Sequence, residues 1–276
     1  MLSDPSRILI FDSGVGALSV FQEILLSEPH THYSLVLDNA HFPYGTIEEP
    51  ELIARVVKVI QKLIPCAKPD LIVIACNTAS TLVLEELRKQ FDVPFVGVVP
   101  AIKPAARLSG NQTIGLLATP ATVDRSYTES LIEEFAPECE ILRVGSTELV
   151  YMAEQKLRGK PVDKHRLKEI MAPFIDHPKC DTLVLACTHF PLLKDELNEV
   201  LPERIKLLDS GAAIAQRVSS LLKKNGLDRE IKLENGAKNV EPHKFYSTCP
   251  DSDLQDLTLH FSKSGFRFAQ SEVIVP

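Results

Sequence analysis

The sequence predicts an α/β protein built from two similar parallel-sheet α/β domains related by pseudo-twofold symmetry, with the active site in the cleft between them. Three observations predict this. Short apolar runs alternate with helical periodicities along most of the chain, which is the pattern of a parallel sheet covered by helices. The alternation starts afresh at Thr113. Two strands also run into similar cysteine-centred polar turns, LIVIACNTAS at 71–80 and TLVLACTHFP at 182–191.

Taken in order, strands are expected at 7–11, 33–37, 71–75 and 95–98, each a largely apolar run suited to burial on both faces. Helices are expected between them at 18–26, 51–64 and 81–91; in the second, Leu52, Val56, Val59, Ile60 and Leu63 recur at three- and four-residue steps. The second series has strands at 113–118, 140–144 and 182–186, with helices at 122–135, 147–157, 165–175 and 192–200. Aligning Cys76 with Cys187 brings residues 7–12 close to 114–119, a repeat of about 110 residues, too long and too few for a solenoid. Residues 206–208, 211–222, 245–248 and 254–264 add a further βαβα stretch without a third cysteine turn, so this piece is expected to complete the first domain's sheet. The expected domains are 1–99 plus 209–276, and 100–208. Pro100, Pro104 and the segment Asp209, Ser210, Gly211 are the candidate hinges.

A chain of 276 residues, 45% hydrophobic and 24% charged, is long enough for two globular domains with their own cores. A net charge of −7 without a Lys/Arg block argues against nucleic acid as the primary ligand. The N-terminus lacks a basic region followed by an apolar one, and no apolar run approaches the roughly 18 residues of a membrane span. A cytoplasmic location without a membrane partner is expected. The cysteines at 66, 76, 139, 180, 187 and 249 include no CxxC, and a reducing compartment argues against structural disulfides. Cys66 and Cys180 are expected in polar connections just before buried strands, Cys139 in a loop, and Cys249 at the end of a packed stretch.

The residue that ends a buried strand sits at the carboxyl edge of the sheet, where open α/β folds bind ligands. Cys76 and Cys187 both fall there. A single strand-end cysteine is as readily a packing thiol, but the same arrangement at both repeat positions favours chemistry. Two thiols facing one carbon from opposite sides can remove a proton on one face and return it on the other, which is racemisation without a cofactor. Asn77, Thr78, Thr188 and His189 add short polar side chains and free N–H groups at expected helix N-termini. That arrangement binds carboxylates and lowers a thiol's pKa. His189 reads as a base for Cys187 or as a cap; a metal is not expected, because no second histidine or carboxylate lies at ligand spacing. The turn FDSGVGALS at 11–19 does not complete a dinucleotide fingerprint, since Ser19 holds its sixth position and Asp12 would repel a phosphate. It reads as a tight turn presenting Asp12 and Ser13 to a ligand carrying both a cation and an anion, such as an amino acid, or as plain helix caps. HFPYG at 41–45, with Tyr44 and Gly45, reads as the floor or lid of the same cleft or as simple loop structure.

These motifs (FDSGVG, PYG, ACNTAS and ACTHFPLL) resemble those of the glutamate racemases, a cofactor-independent family of the aspartate/glutamate racemase superfamily. The resemblance runs from about residue 7 to about residue 225 and weakens over the last fifty residues. It implies interconversion of L- and D-glutamate by two thiols, supplying D-glutamate for peptidoglycan synthesis, with no cofactor. It further implies that Cys76 serves the D-enantiomer and Cys187 the L-enantiomer, assisted by Asp12 and His189, with Glu154 as a supporting carboxylate near His189. Ser13, Tyr44, Gly45, Asn77, Thr78, Thr119, Thr122 and Thr188 fall at substrate-binding positions, together with Asp12 and His189. One departure is Ala17 where the family usually has a further glycine, which is expected to tighten the first turn. Residues 146–157, including Glu148, and 99–104 resemble the branch found in enteric-type bacteria, whose members can depend on UDP-N-acetylmuramoyl-L-alanine as activator. A monomer and a homodimer are both compatible. Three other readings remain open on the residues alone: a relative acting on aspartate or another acidic amino acid, a two-lobed binding protein, and a thiol redox protein with a reversible Cys76–Cys187 disulfide.

Overall fold

A computed structural model describes residues 5–227, 243–249, 257 and 268–273, and of 268–273 the backbone. Its elements run β1 (Arg7–Asp12), α1 (Ala17–Ser27), β2 (His32–Leu37), α2 (Glu49–Ala67), β3 (Leu71–Ile74), α3 (Asn77–Gln90), β4 (Phe95–Gly97) and α4 (Ile102–Leu108). They continue with β5 (Thr113–Ala118), α5 (Pro120–Val123), α6 (Ser126–Phe135), β6 (Glu140–Gly145), α7 (Glu148–Leu157), α8 (Lys164–Ile175) and β7 (Thr182–Ala186). The last are α9 (Lys194–Val200), β8 (Lys206–Leu208), α10 (Gly211–Lys224), β9 (His243–Ser247) and β10 (Phe268–Val273).

All strand pairs are parallel and form two sheets, ordered β10-β9-β2-β1-β3-β4 and β6-β5-β7-β8. The orders β2-β1-β3-β4 and β6-β5-β7-β8 correspond strand for strand, which is the internal repeat in three dimensions. In each sheet the chain leaves the first strand toward one side and returns on the other. A crevice therefore opens at the carboxyl ends of β1 and β3, and a second at those of β5 and β7. The central strands are apolar throughout because helices cover both faces: Ile8, Ile10, Leu35 and Val73 pack under α1 and α10, while Leu9, Ile72 and Ile74 pack under α2 and α3. Separate clusters around Phe174 and around Ile102 cover the two faces of the second sheet. Edge strands β6 and β8 are the exceptions, carrying only exposed and half-buried residues.

The chain crosses between the sheets after β4 and after β8, and Ser210 Oγ donates to the Val99 carbonyl oxygen at 2.6 Å, tying the two crossings together. β9 and β10 extend the first sheet beyond β2, and α10 packs on α1.

Several expectations need correction. The helix expected at 122–135 is two, α5 and α6, because Arg125 is extended (φ −77°, ψ 138°) and the Thr128 hydroxyl donates to the Thr122 carbonyl oxygen at 2.7 Å. Helix α3 begins immediately after Cys76 rather than at residue 81. A 3-10 turn, Phe190–Leu193, precedes α9. Pro104, read as a hinge marker, lies in the first turn of α4, where its missing N–H has no intrahelical acceptor to lose. Helix α2 continues past Pro65 to Ala67, so Cys66 is helical and exposed rather than in a connection. The expected segment 254–264 lies outside the described residues except for Leu257, which is helical and buried. Among the described residues, no helix is long and apolar enough to cross a membrane.

Candidate active site

The two crevices face each other, and the carboxyl ends of β1, β3, β5 and β7 converge on one cavity with about 360 Å³ of empty space. Ser13, Tyr44, Gly45, Cys76, Asn77 and Thr78 line it from the first sheet's side; Thr119, Cys187, Thr188 and His189 line it from the second. Asp12, Thr122 and Glu154 stand behind this wall, buried and bonded to residues that form it.

On the first side, Asp12 is fully buried at the end of β1. Its carboxylate accepts from Ser13 N–H at 2.6 Å and from the Thr188 hydroxyl at 2.8 Å, and the Cys76 thiol interacts with it electrostatically. Burial raises Asp12 above the ordinary carboxylate range, partly offset by the His189 charge and these hydrogen bonds. Cys76 is raised well above the ordinary thiol range by burial and by the adjacent Asp12, although the Ala79 N–H of the first α3 turn acts the other way. The expected lowering by a helix N-terminus is thus present but outweighed.

On the second side, His189 sits between a thiol and a carboxylate. Its Nδ1 lies 3.9 Å from Cys187 Sγ, and its Nε2 lies 3.0 Å from Glu154 Oε1. Burial disfavours a charged imidazole, but Cys187 and Glu154 outweigh it and raise His189 to about 10. Burial likewise disfavours the Glu154 anion, yet His189, Arg158 and the Val15 N–H bring it down to about 2. The turn after Cys187 leads into a 3-10 turn, so only Cys76 stands at an α-helix N-terminus.

The glycines of the first turn are needed for this approach. A Cβ on Gly14 would lie 2.3 Å from Glu154 Oε1, and one on Gly16 would lie 2.4 Å from Thr188 Oγ1 and 2.6 Å from His189 Nδ1. Ala17, the departure noted above, opens α1 with its side chain buried in the first core.

Three hydroxyls meet across the cleft: Thr78 Oγ1 lies 3.1 Å from Thr119 Oγ1 and 3.2 Å from Thr122 Oγ1, and the last two are 2.9 Å apart. Among the described residues, Asn77 Nδ2 is buried without a hydrogen-bond partner, which leaves a donor available to a ligand. Tyr44, read from sequence as part of the floor or lid of the cleft, lines the cavity, while its hydroxyl donates to Asp38 Oδ2 at 2.6 Å. Asp38 also accepts from Arg55 and Thr248, so its charge and its hydrogen bonds fix the ring. Among the described residues, no group of three or more His, Cys, Asp or Glu could hold a metal ion.

The Asp/Glu/hydantoin racemase family description fits residues 12–218, the span that carries both cysteine turns. The chain belongs to that family. Among its relatives, a glutamate racemase of Shewanella sp. (strain ANA-3) is 48% identical over 252 residues, 91% of this chain and 92% of the relative. A glutamate racemase of Vibrio cholerae is 46% identical over 271 residues, 98% of each chain. The solved structure of Escherichia coli glutamate racemase, in complex with L-glutamate and the activator UDP-MurNAc-Ala, superposes with a TM-score of 0.89 at 44% identity, covering 98% of each chain.

Against this racemase fold, the sequence reading missed Thr147 and Val150, which line the cavity just after β6. The repeat carried the signal: β6 corresponds to β2, and the turn after β2 had already been assigned to the cleft. Asp38, Arg55 and Arg125 were also missed. Each acts through contacts between segments distant in sequence, which no local pattern announces.

Proposed function

We propose that this chain is a cofactor-independent glutamate racemase that interconverts L- and D-glutamate by two-thiol proton transfer. The observation that carries the reading is that Cys76 and Cys187 line one small cavity from opposite sheets, each beside its own acid–base partner. The α-proton of an amino acid is far less acidic than a thiol, so the carbanionic transition state has to be stabilised by preorganised donors around the α-carboxylate. Asn77, Thr78 and the Thr188 backbone N–H supply those donors, with Ser13, Gly45 and Thr119 completing the binding wall and Thr122 supporting Thr78 from behind it. Asp12 partners Cys76 from behind the wall, and its negative charge favours the substrate ammonium group in the cavity in front of it. That cation favours ionisation of Cys76, which burial and the adjacent Asp12 oppose. For the D-enantiomer Cys76 removes the α-proton and Cys187 returns one to the opposite face; for the L-enantiomer the roles exchange. His189, held by Glu154, passes protons to and from Cys187.

Two sheets joined by two short crossings support lobes of residues 1–99 with 209–276, and 100–208, that close over the substrate and exclude water. The relatives named glutamate racemase support a role in supplying D-glutamate for peptidoglycan, carried out in the cytoplasm on this reading, and the activator bound to the E. coli relative supports response to a UDP-MurNAc-alanine precursor.

The test incubates the purified protein with L-glutamate in deuterated water without pyridoxal phosphate, following circular dichroism and α-proton loss, with and without the precursor. Expected are loss of optical activity, deuterium at the α-carbon, and abolition of racemisation by Cys76→Ser and by Cys187→Ser. Full activity in either variant would falsify the two-thiol scheme, and no exchange under either condition would overturn the racemase reading. Equal rates with and without the precursor would remove the activator.

A further inference from the structure

Arg125 joins α5 to α6, next to the exposed residues Asp124, Ser126 and Tyr127, yet its own side chain is only 8% exposed. It points across the cleft. Its Nη1 donates to the Thr78 carbonyl oxygen at 3.0 Å and to the Thr81 hydroxyl at 2.8 Å, and its Nη2 lies 3.3 Å from Glu49 Oε1. The Thr81 hydroxyl in turn donates to the same Thr78 carbonyl at 3.1 Å, so the guanidinium, the hydroxyl and the carbonyl form a closed ring on the first turn of α3. That turn carries Cys76, Asn77 and Thr78. A buried cation is a poor source of net stability, because desolvation cancels most of its Coulomb gain. Burial here lowers the guanidinium pKa, and Glu49 acts the other way.

We propose that Arg125 is a positioning residue, resting on the racemase reading above. From the second sheet's side it straps the first turn of α3 through Thr78 and Thr81, and so aligns Cys76, Asn77 and Thr78 against the opposite wall. The spacing supports this: Thr119, Thr122 and Arg125 follow at three-residue intervals, and the first two meet the Thr78 hydroxyl while the third holds its carbonyl. Docking this segment and completing the hydroxyl cluster are then a single event. Lysine could keep the charge, but its single Nζ could not hold Thr78 and Thr81 from one nitrogen and Glu49 from another as the guanidinium does.

The test compares the wild type, Arg125→Ala, Thr81→Val and the double variant, measuring kcat and KM for both glutamate enantiomers alongside thermal unfolding. Two hydrogen bonds from a charged donor predict a loss of about 10- to 100-fold in kcat/KM for Arg125→Ala, with KM raised and kcat lowered together. Thr81→Val is expected to reduce kcat/KM in the wild type but to add nothing in the Arg125→Ala background. Added guanidinium at millimolar concentration is expected to restore part of the Arg125→Ala activity, which a merely structural loss would not allow. An active wild type with Arg125→Ala within about twofold of it would overturn the proposal. A lowered thermal midpoint without guanidinium rescue would overturn it too, by assigning Arg125 a structural role. An inactive wild type would instead refute the glutamate reading, and the proposal with it.

Discussion

Replacing Glu154 by glutamine keeps the side chain's shape and removes its charge. In the intact protein Glu154 Oε1 faces His189 Nε2 at 3.0 Å and accepts from Val15 N–H at 2.8 Å, while Arg158 holds the other oxygen. Burial opposes this anion, but its partners bring the carboxyl from 4.5 to about 2. At about 1.36 kcal/mol per pH unit, that drop is worth about 3 kcal/mol. Removing one partner of a buried pair costs about 3–5 kcal/mol, so the two routes agree. The accompanying rise of His189 from 6.5 to about 10 includes the same interaction and is not added. A carboxylate lowered on folding stabilises above 4.5 and loses that contribution as pH falls through about 2. An imidazole raised on folding stabilises below 6.5 and loses that contribution as pH rises through about 10. The pair is therefore at full strength between these limits, around pH 5.5. Urea unfolding of wild type and Glu154→Gln is expected to differ by about 3 kcal/mol near pH 5.5, with the gap narrowing toward pH 9.5. A gap below about 1 kcal/mol at the lower pH, or one that stays constant across the range, would refute the reasoning.

Other outcomes follow from neighbouring contacts. Gly14→Ala places a Cβ 2.3 Å from Glu154 Oε1 and 2.9 Å from both His189 Nε2 and Phe42 Cδ2, so the Glu154–His189 contact has to give way. A loss of about 100-fold in kcat/KM is expected, and steady-state kinetics near wild-type values would contradict it. Asp38→Asn removes the charge that Arg55, Thr248 and Tyr44 hold against burial below the ordinary carboxylate range. A stability loss of about 2–4 kcal/mol is expected at neutral pH, vanishing in acid as pH falls below 3.8 and through the lowered folded-state value. Urea unfolding at both pH values checks it, and a raised KM is expected alongside because Tyr44 loses its anchor.

Residues 71–76 and 182–187 carried most of what could be read directly. Four or five buried apolar residues followed by a cysteine and a hydroxyl or amide pair define a strand end in any α/β fold, and their repetition implied two related halves around one cleft. Local pattern was weaker where segments bend to serve the site. The break between α5 and α6 depends on an arginine drawn across the cleft and on Thr128 capping the Thr122 carbonyl. Those are tertiary contacts, and helical periodicity ran straight through them.

By itself, then, the sequence determined the parallel-sheet architecture, the duplication, and the two thiols with their flanking polar residues, because each is encoded by residues adjacent in the chain. Only the tertiary structure decided what surrounds those thiols. Asp12 meets Thr188, Val15 meets Glu154, and Thr78 meets Thr119, Thr122 and Arg125 across separations of 176, 139, 41, 44 and 47 residues. Burial raises the Cys76 thiol against its own helix N-terminus, and Cys187 together with Glu154 raises His189 against burial. Charge and desolvation act through space, and the distances that set their size come into being only when the two sheets face each other.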